Sequence, residues 1–343
     1  MLKKLIVITS LPLLMLSPPT SACDIVVHDY ENQHVIDQYF TNTFDWSSKT
    51  LFLEIDELLK RHPSDPEYQS IAKLHREWKL KYRYNDWMAG DLEATPEFLE
   101  AARLHLIRLG EWLYVRPTSG EFKWRSIAGE GTLHLLVDHE LAQFRIQTLC
   151  YTAGGAGHSC SLGGHIRIKE GWMQAERLVV LSTKYGLIIQ PEDPPELPVR
   201  GAVLAVDWCG MGAELDGFYG QINKDVDAAT DAIQKSLSFD DKLVTNQSRE
   251  WKTLMTEGLD GNPDAANQLW SFYVGNQELS TQPQAYWMYR AATVKNPAAM
   301  YRIGKLLTTY NEKLAKNWFQ CAADEGYVMA NEALHELEAN GNE

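Results

Sequence analysis

Apolar residues recur at helical spacing in the first part of the chain. The segments SSKTLFLEIDELLKRH, from Ser47, and TPEFLEAARLHLIRLGEWL, from Thr95, both open on cap-forming residues. The second also has Pro96 in its first turn and Gly110 as its stop. A third helix is predicted in GEGTLHLLVDHELAQFRIQTLC, from Gly129. The first part of the chain is therefore predicted to be rich in helices.

The pattern changes between residues 163 and 209. The strings HIRI, RLVVLSTKYGLIIQ and VRGAVLAVDW alternate in polarity or are rich in β-branched residues, which is typical of short strands. Residues 23–225 are therefore predicted to form a mixed α+β domain, in which helices come first and a few short strands follow.

Two segments in the last part of the chain can be laid over each other. Each has three apolar residues four positions apart, followed by a tryptophan and two adjacent alanines. The interval is 34 residues from Leu269 to Ile303 and 31 from Trp287 to Trp318. Such a period with two helices per unit predicts an α-solenoid, because one unit buries its apolar face only against its neighbour. The matched positions are Ala265, Leu269, Tyr273, Trp287, Ala291 and Ala292, and then Ala299, Ile303, Leu307, Trp318, Ala322 and Ala323.

This pattern, over residues 246 to 338, resembles Sel1-like repeats, which are relatives of the tetratricopeptide repeat found in proteins of the bacterial envelope. The second segment fits best, whereas Trp270 and Gln284 depart from the expected glycine and alanine in the first. The resemblance implies a mainly α fold that ends in an α-solenoid of helix-turn-helix repeats over residues 226–343. It also implies a scaffold for binding other proteins rather than a catalyst. The best-fitting positions are Ile303, Gly304, Ala315, Trp318, Phe319, Ala322 and Ala323.

The amino terminus has the layout of an export signal. Lys3 and Lys4 precede an apolar run from Leu5 to Leu16, and small residues follow up to Ala22. The run is shorter than the roughly 20 residues needed to span a bilayer. Residues 1–22 are therefore predicted to be a signal peptide. The mature chain is expected in the periplasm, either soluble or anchored by lipid.

The five cysteines fit an oxidising compartment. Cys23 follows the predicted cleavage point in the string TSAC, which resembles a bacterial lipobox except that Thr20 stands where leucine is usual. Lipid attachment at Cys23 is therefore left open. Cys150 and Cys160 flank a glycine-containing loop and are the candidate disulfide partners, whereas Cys321 is expected to be a buried thiol.

The chain is acidic, with a formal net charge of −14 that becomes −16 once the two lysines of the signal are removed. Such a charge disfavours nucleic acid and anionic lipid as partners and favours a basic protein, although it also simply keeps a protein soluble. The segment QPEDPPELPVR is proline-rich and extended, and it carries Glu192, Asp193 and Glu196. It is predicted to be either a linker or an acidic strip that docks on a basic cleft.

One string suggests catalysis. GHSCS, from Gly157, resembles the nucleophile elbow of α/β-hydrolases, with Ser159 as nucleophile and Asp207 as the acid. An elbow needs a helix after the serine, but the string SLGGHIRI that follows is expected to break one. Past Asp207 the sequence offers only His335 as a base. A glycine loop is the favoured interpretation.

Two histidines raise the question of a metal. His134 and His139 are spaced by five, which turns the two rings apart on a helix, unlike the four-residue spacing of zinc-protease motifs. Packed or solvated histidines are expected here, and no metal or other cofactor is predicted.

Together these features favour an exported, non-enzymatic protein that binds another protein. The signal, the repeats and the acidity are similar in type to periplasmic immunity proteins against phospholipase effectors of type VI secretion. That resemblance implies inhibition of a periplasm-acting toxin by charge complementarity with its basic active-site cleft. The alternatives are an envelope serine hydrolase using Ser159 and a periplasmic adaptor in envelope assembly or stress signalling.

Overall fold

Eight antiparallel strands form a closed barrel at the centre of the molecule. The computed structural model describes residues 46–92, 94–125, 129–151, 157–176, 178–191, 217–224, 226–236, 249–275, 281–309 and 311–340. The strands follow one another around the barrel in chain order, and the first is hydrogen-bonded to the last. They are β1 (Gly120–Arg125), β2 (Gly129–Asp138), β3 (Leu141–Tyr151), β4 (Gly157–Arg167), β5 (Trp172–Ala175), β6 (Leu178–Thr183), β7 (Gly186–Pro191) and β8 (Gly217–Asn223).

Helices lie on either side of the barrel in the sequence. Those before it are α1 (Trp46–Arg61), α2 (Pro66–Lys81), α3 (Tyr84–Ala89) and α4 (Pro96–Leu113). Those after it are α5 (Val226–Ser236), α6 (Arg249–Leu259), α7 (Pro263–Gly275), α8 (Thr281–Thr293), α9 (Pro297–Leu307), α10 (Glu312–Asp324) and α11 (Val328–Asn340). Helix α5 packs against β1 and β2. The boundary predicted at residue 225 stays a prediction.

The segment predicted as a third helix is the β2–β3 hairpin, so that prediction is wrong. Leu133 and Leu135 of β2 face the barrel interior with Phe144 and Ile146 of β3, and the residues between them are less buried. This is the two-residue period of a strand rather than the period of a helix. The turn is made by His139, whose φ of 54° closes the hairpin.

The barrel has apolar side chains on both faces of some strands. In β6, Leu178 and Val180 belong to the interior cluster, whereas Val179 and Leu181 pack against the amino-terminal helices. This double burial explains why the strand is apolar without alternation from Leu178 to Leu181. The amino-terminal helices therefore cover the outside of the barrel at β5 to β7.

The fold class predicted from the sequence, a mainly α chain with a few short strands and a carboxy-terminal α-solenoid, is wrong. The helices from α6 onward do contact one another in sequence order, and the apolar positions identified from their spacing are mostly buried. However, this helical layer is built onto the barrel, since Leu141 of β3 lies in its apolar core and Arg167 of β4 pairs with Asp260 at 3.0 Å. The spacing of apolar residues predicts which helices contact one another, but it does not predict that the helical layer packs on a barrel.

Asp65 joins α2 to the β6–β7 turn. Its Oδ1 accepts hydrogen bonds from the backbone N–H groups of Glu67 and Tyr68 and so caps the helix. Its Oδ2 accepts from Lys184 Nζ at 2.6 Å and from the Tyr185 hydroxyl at 2.8 Å. The hydrogen bond from Lys184, followed by that from Tyr185, lowers the pKa of Asp65 to about 2.

We expect the variant Asp65→Asn to lose a pH-dependent part of the stability while it keeps the helix cap, because asparagine also caps helices. The folded pKa lies below the ordinary value of 3.8. The charged carboxylate therefore stabilises the fold above about pH 4, and this contribution is lost as the pH falls toward 2. The melting temperature of the variant should lie furthest below wild type near about pH 6, with the gap narrowing under about pH 4. A gap that does not change with pH would contradict the assignment.

Candidate functional site

Part of the predicted site lies outside the described residues. Cys23 and the acidic residues Glu192, Asp193 and Glu196 all fall there, as does the predicted signal peptide. The docking strip and the lipid attachment therefore stay predictions.

Ser159 lies within strand β4, opposite Leu149 of β3, and it is exposed. The strand continues through the serine to Arg167, so the string GHSCS does not form the strand-turn-helix geometry of a nucleophile elbow. His335 lies in α11, within the carboxy-terminal helices, and Asp207 is outside the described residues. The geometry of β4 gives no support to the hydrolase interpretation.

Within the described residues, Cys150 and Cys160 lie in strands and Cys321 lies in a helix. Across β3 and β4, Cys150 is opposite His158 and Cys160 is opposite Thr148, so the two cysteines are not directly opposite each other. A disulfide between them stays a prediction. Cys321 in α10 is fully buried and disulfide-bonded, not the free buried thiol that was expected.

The two histidines considered as metal ligands are separated by the hairpin turn. His134 lies in β2 opposite Arg145, and His139 is in the turn with its side chain exposed. Burial lowers the pKa of His134. Over the described ranges, no three side chains of histidine, cysteine, aspartate or glutamate gather in a way that would hold a metal ion.

A buried histidine pair that the sequence did not reveal lies between the amino-terminal helices. His75 Nδ1 and His105 Nε2 are 2.8 Å apart, and His75 Nε2 is 3.3 Å from Asp56 Oδ1. Burial lowers the pKa of His105 to about 3, which keeps that ring neutral. Burial also acts to raise the pKa of Asp56, but His75 and Lys79 outweigh it and lower that pKa.

This pair serves packing more than chemistry. The His105 ring stacks on Trp78 with centroids 4.3 Å apart, and the His75 ring stacks near Phe52. Both rings are almost fully buried, so a substrate has no direct access to them. The only sequence signal was their helical spacing with apolar neighbours, which is typical of core positions.

Glu176 connects the barrel to the carboxy-terminal helices. Its Oε2 accepts the backbone N–H of His165 at 3.0 Å and lies 3.1 Å from His165 Nδ1, and its Oε1 accepts Trp287 Nε1 at 2.7 Å. In the ladder between β4 and β5 the paired residues are Ile166 and Ala175. The carboxylate therefore extends this short ladder and at the same time holds α8. All three polar side chains are buried, which makes this a structural junction.

A cavity of about 260 Å³ lies along β1, β2 and β3. Most of its lining side chains, such as Thr132 and Gln147, are on the outward register of these strands, whereas the Trp124 ring is in the interior cluster. A side chain at Gly131 would meet Thr148 and Trp124, and one at Gly217 would meet the Trp124 indole nitrogen at 2.5 Å, so these glycines fix the position of the indole. The cavity is lined by Lys123, Trp124, Glu130, Gly131, Thr132, Gln147, Thr148 and Leu149.

Thr148 is the unusual member of this lining. It is 96% buried, as only 4% of its surface is exposed, and among the described residues its hydroxyl has no hydrogen-bond partner. Leaving a buried hydroxyl unpaired costs about 1–3 kcal/mol, so such groups are rare unless they serve a purpose. Thr148 shares the inward face of β3 with Ile146, and its hydroxyl has almost no accessible surface, so the hydroxyl is a feature of the barrel interior rather than of the cavity.

We expect Thr148→Val to stabilise the protein by about 1–2 kcal/mol, because valine has the same shape and leaves no hydroxyl unpaired. The free energy of unfolding, measured by urea denaturation, gives the comparison with wild type. Stability equal to or below that of wild type would mean that the hydroxyl is already satisfied, for example by an ordered water.

The outer face of α11 is a candidate site, suited to a protein partner. Val328 and Met329 are 72% and 50% exposed, which is high for large apolar side chains. Glu325, Glu332 and Glu336 border them and are exposed, and within the described part of the chain none of the three is in an ion pair. This acidic face of α11 is thus apolar at its start and negatively charged along its length.

Comparisons with known proteins identify no relative. No family model matches the chain, and neither a curated protein nor a solved structure matches it. The assignment to Sel1-like repeat proteins of the envelope is therefore wrong, since a closed barrel is not a solenoid and no repeat family is recovered. In the ranges that the structure covers, no helix is both long and apolar enough to cross a bilayer.

Proposed function

We propose that this chain is an exported protein that binds another protein and blocks it, without catalysing a reaction of its own. The observation that carries the proposal is the acidic face of α11, where exposed Val328 and Met329 are bordered by carboxylates without ion-pair partners in the described ranges. Exposed apolar side chains rimmed by charge are characteristic of interaction surfaces.

The charge of this face determines the kind of partner. Glu332 and Glu336 are one helical turn apart, so their like charges repel each other until a basic group lies between them. A toxin that acts on phosphodiesters, such as a periplasm-acting phospholipase, needs cationic groups around its phosphate site. An acidic face that occupies such a cleft would inhibit the toxin by charge complementarity.

Two further observations support export. The disulfide at Cys321 is of a kind that persists in oxidising compartments. The predicted signal peptide at residues 1–22 is the sequence feature that would bring the chain there.

We expect the double variant Glu332→Lys, Glu336→Lys to lose the partner. The tagged chain without its signal would be incubated with envelope extract at low salt, and the retained proteins quantified by mass spectrometry. A protein held by wild type should be retained about tenfold less by the variant, because two attractive charges become repulsive. Retention by wild type should also fall as salt is raised.

The matched control is Glu77→Lys, Glu111→Lys, which makes the same charge change on exposed residues of α2 and α4. It should retain the partner as wild type does. The recovered protein, once purified, should lose its activity on addition of wild type and keep it with the α11 variant. Equal retention by both charge-reversed variants would rule out the acidic face of α11, and a bound partner that stays fully active would rule out inhibition.

A further inference from the structure

One side of α2 presents apolar and cationic side chains to the solvent, in a chain that is acidic as a whole. Leu80 and Leu74 are 73% and 45% exposed. Lys73, Arg76 and Lys81 lie around them and are exposed as well. Because these five residues recur at intervals of three, four and seven, they share one side of the helix, which we call the basic face of α2. The buried positions of α2 lie on the opposite side.

The cations of this face are available to a partner. The ion pair that α2 makes with α1 involves Lys79, whose Nζ lies 2.6 Å from Asp56 Oδ2 on the other side of the helix. Within the described ranges, Lys73 and Arg76 are in no ion pair. Glu77 is the carboxylate that lies among the three cations of the face, so the face is positively charged.

The acidic face of α11 is the counterpart of this surface in both charge and polarity. It carries exposed Val328 and Met329 beside two glutamates that lie one helical turn apart, Glu332 and Glu336. The basic face of α2 has the same arrangement with the opposite charge. If the two helices lay side by side, the glutamates would pair with cations, and apolar side chains of both helices would be buried between them. Since both faces are exposed in a single chain, this contact has to join two copies.

We propose that the basic face of α2 in one copy binds the acidic face of α11 in a second copy, so that the protein associates with itself head to tail. A contact between two different faces either closes into a ring or continues as a chain of copies. The formal net charge of −14 makes the copies repel each other, and exposed ion pairs are weak. The association is therefore weak and depends on protein concentration.

Self-association does not rest on the proposed inhibition of a toxin, although both use the acidic face of α11. A second copy and a basic partner would exclude each other from that face, so the assembly would dissociate when such a partner binds. The basic face of α2 belongs to self-association alone. A change on α2 therefore tests this proposal without touching the surface that the proposed function uses.

The test is sedimentation velocity of the full chain without its signal, from micromolar to about millimolar protein in about 0.1 M salt. We expect the average mass of wild type to rise with protein concentration, and the rise to shrink in about 1 M salt, which screens charges beyond about 3 Å. The α2 variant, Lys73→Glu, Arg76→Glu, should associate about tenfold more weakly, because two attractive charges become repulsive. The same variant should retain the partner captured from envelope extract as wild type does.

Charge reversal on both faces provides a rescue. Combining the α2 variant with the α11 variant, Glu332→Lys, Glu336→Lys, reverses both surfaces, so the combined variant should associate as wild type does. The matched control is Arg302→Glu, Lys305→Glu, which makes the same change on exposed residues of α9 that are also three positions apart. Its association should equal that of wild type.

Three results would overturn the proposal: wild type that stays monomeric at every concentration, an α2 variant that associates as wild type does, or a combined variant that does not recover. Flotation with phosphatidylglycerol vesicles tests the other kind of anionic partner. A monomer that binds these vesicles and loses this binding in the α2 variant would also overturn the proposal, since it would assign the basic face to a membrane.

Discussion

Replacing Glu176 by alanine is expected to lower the free energy of unfolding by about 3–5 kcal/mol. The carboxylate accepts hydrogen bonds from the His165 backbone and from Trp287, and both donors are buried. Each buried donor left without a partner costs about 1–3 kcal/mol, and the missing side chain leaves a void in addition. Urea unfolding followed by tryptophan fluorescence measures the loss.

Two milder variants show whether the loss arises at the junction between barrel and helices. Glu176→Gln keeps the shape but turns one acceptor into a donor, and Trp287→Phe removes only the indole N–H. If Glu176 holds α8 through Trp287, the two changes combined should cost less than their sum by about 1 kcal/mol or more. Strictly additive effects would show that the 2.7 Å hydrogen bond contributes nothing to the attachment of the helices.

The sequence predicts local structure correctly where a single local pattern, such as a helix cap or a run of strand-forming residues, determines it. The helix from Pro96 is present, and Thr95 caps it by accepting the Phe98 N–H, as the cap pattern indicated. The string from Leu178 to Gln190 does form two strands. The prediction of a helix in the β2–β3 segment is wrong, because buried Leu133 and Leu135 follow the two-residue period of a strand.

Features that depend on distant pairs of residues were not predictable in this way. Barrel closure pairs β1 with β8, which lie about a hundred residues apart, and no local pattern encodes that pairing. The same holds for the contact of Glu176 with Trp287. The sequence also shows that residue 148 is a threonine, but not that its hydroxyl is buried without a hydrogen-bond partner in the described part of the chain. The acidic face of α11 lies within the segment that matched the repeat pattern, and its exposure was not predicted either.

Gly110 can be interpreted either as a helix stop or as a point of close contact between helix and barrel. The second interpretation leads to a prediction with a large effect on stability. The sequence suggested that this glycine stops a helix, yet α4 runs through it to Leu113. The reason is contact with the barrel, because a Cβ at this position would lie 2.3 Å from Cδ1 of Trp172. The indole of Trp172 packs against the helix there and donates a hydrogen bond to the Leu106 carbonyl oxygen at 2.8 Å.

We expect Trp172→Ala to cost about 3–5 kcal/mol, since it removes a fully packed indole between α4 and the barrel. Gly110→Ala should also destabilise, by about 1–3 kcal/mol, although alanine favours a helix by about 1 kcal/mol over glycine. The sign of this second change decides between the two interpretations, because a glycine that acted only as a helix stop would give a more stable alanine variant. Combining Gly110→Ala with Trp172→Phe should recover part of the loss, since the smaller ring leaves space for the new methyl group. Thermal unfolding of the four proteins measures that recovery, and a double variant no better than the sum of its parts would show that the indole is not what Gly110 accommodates.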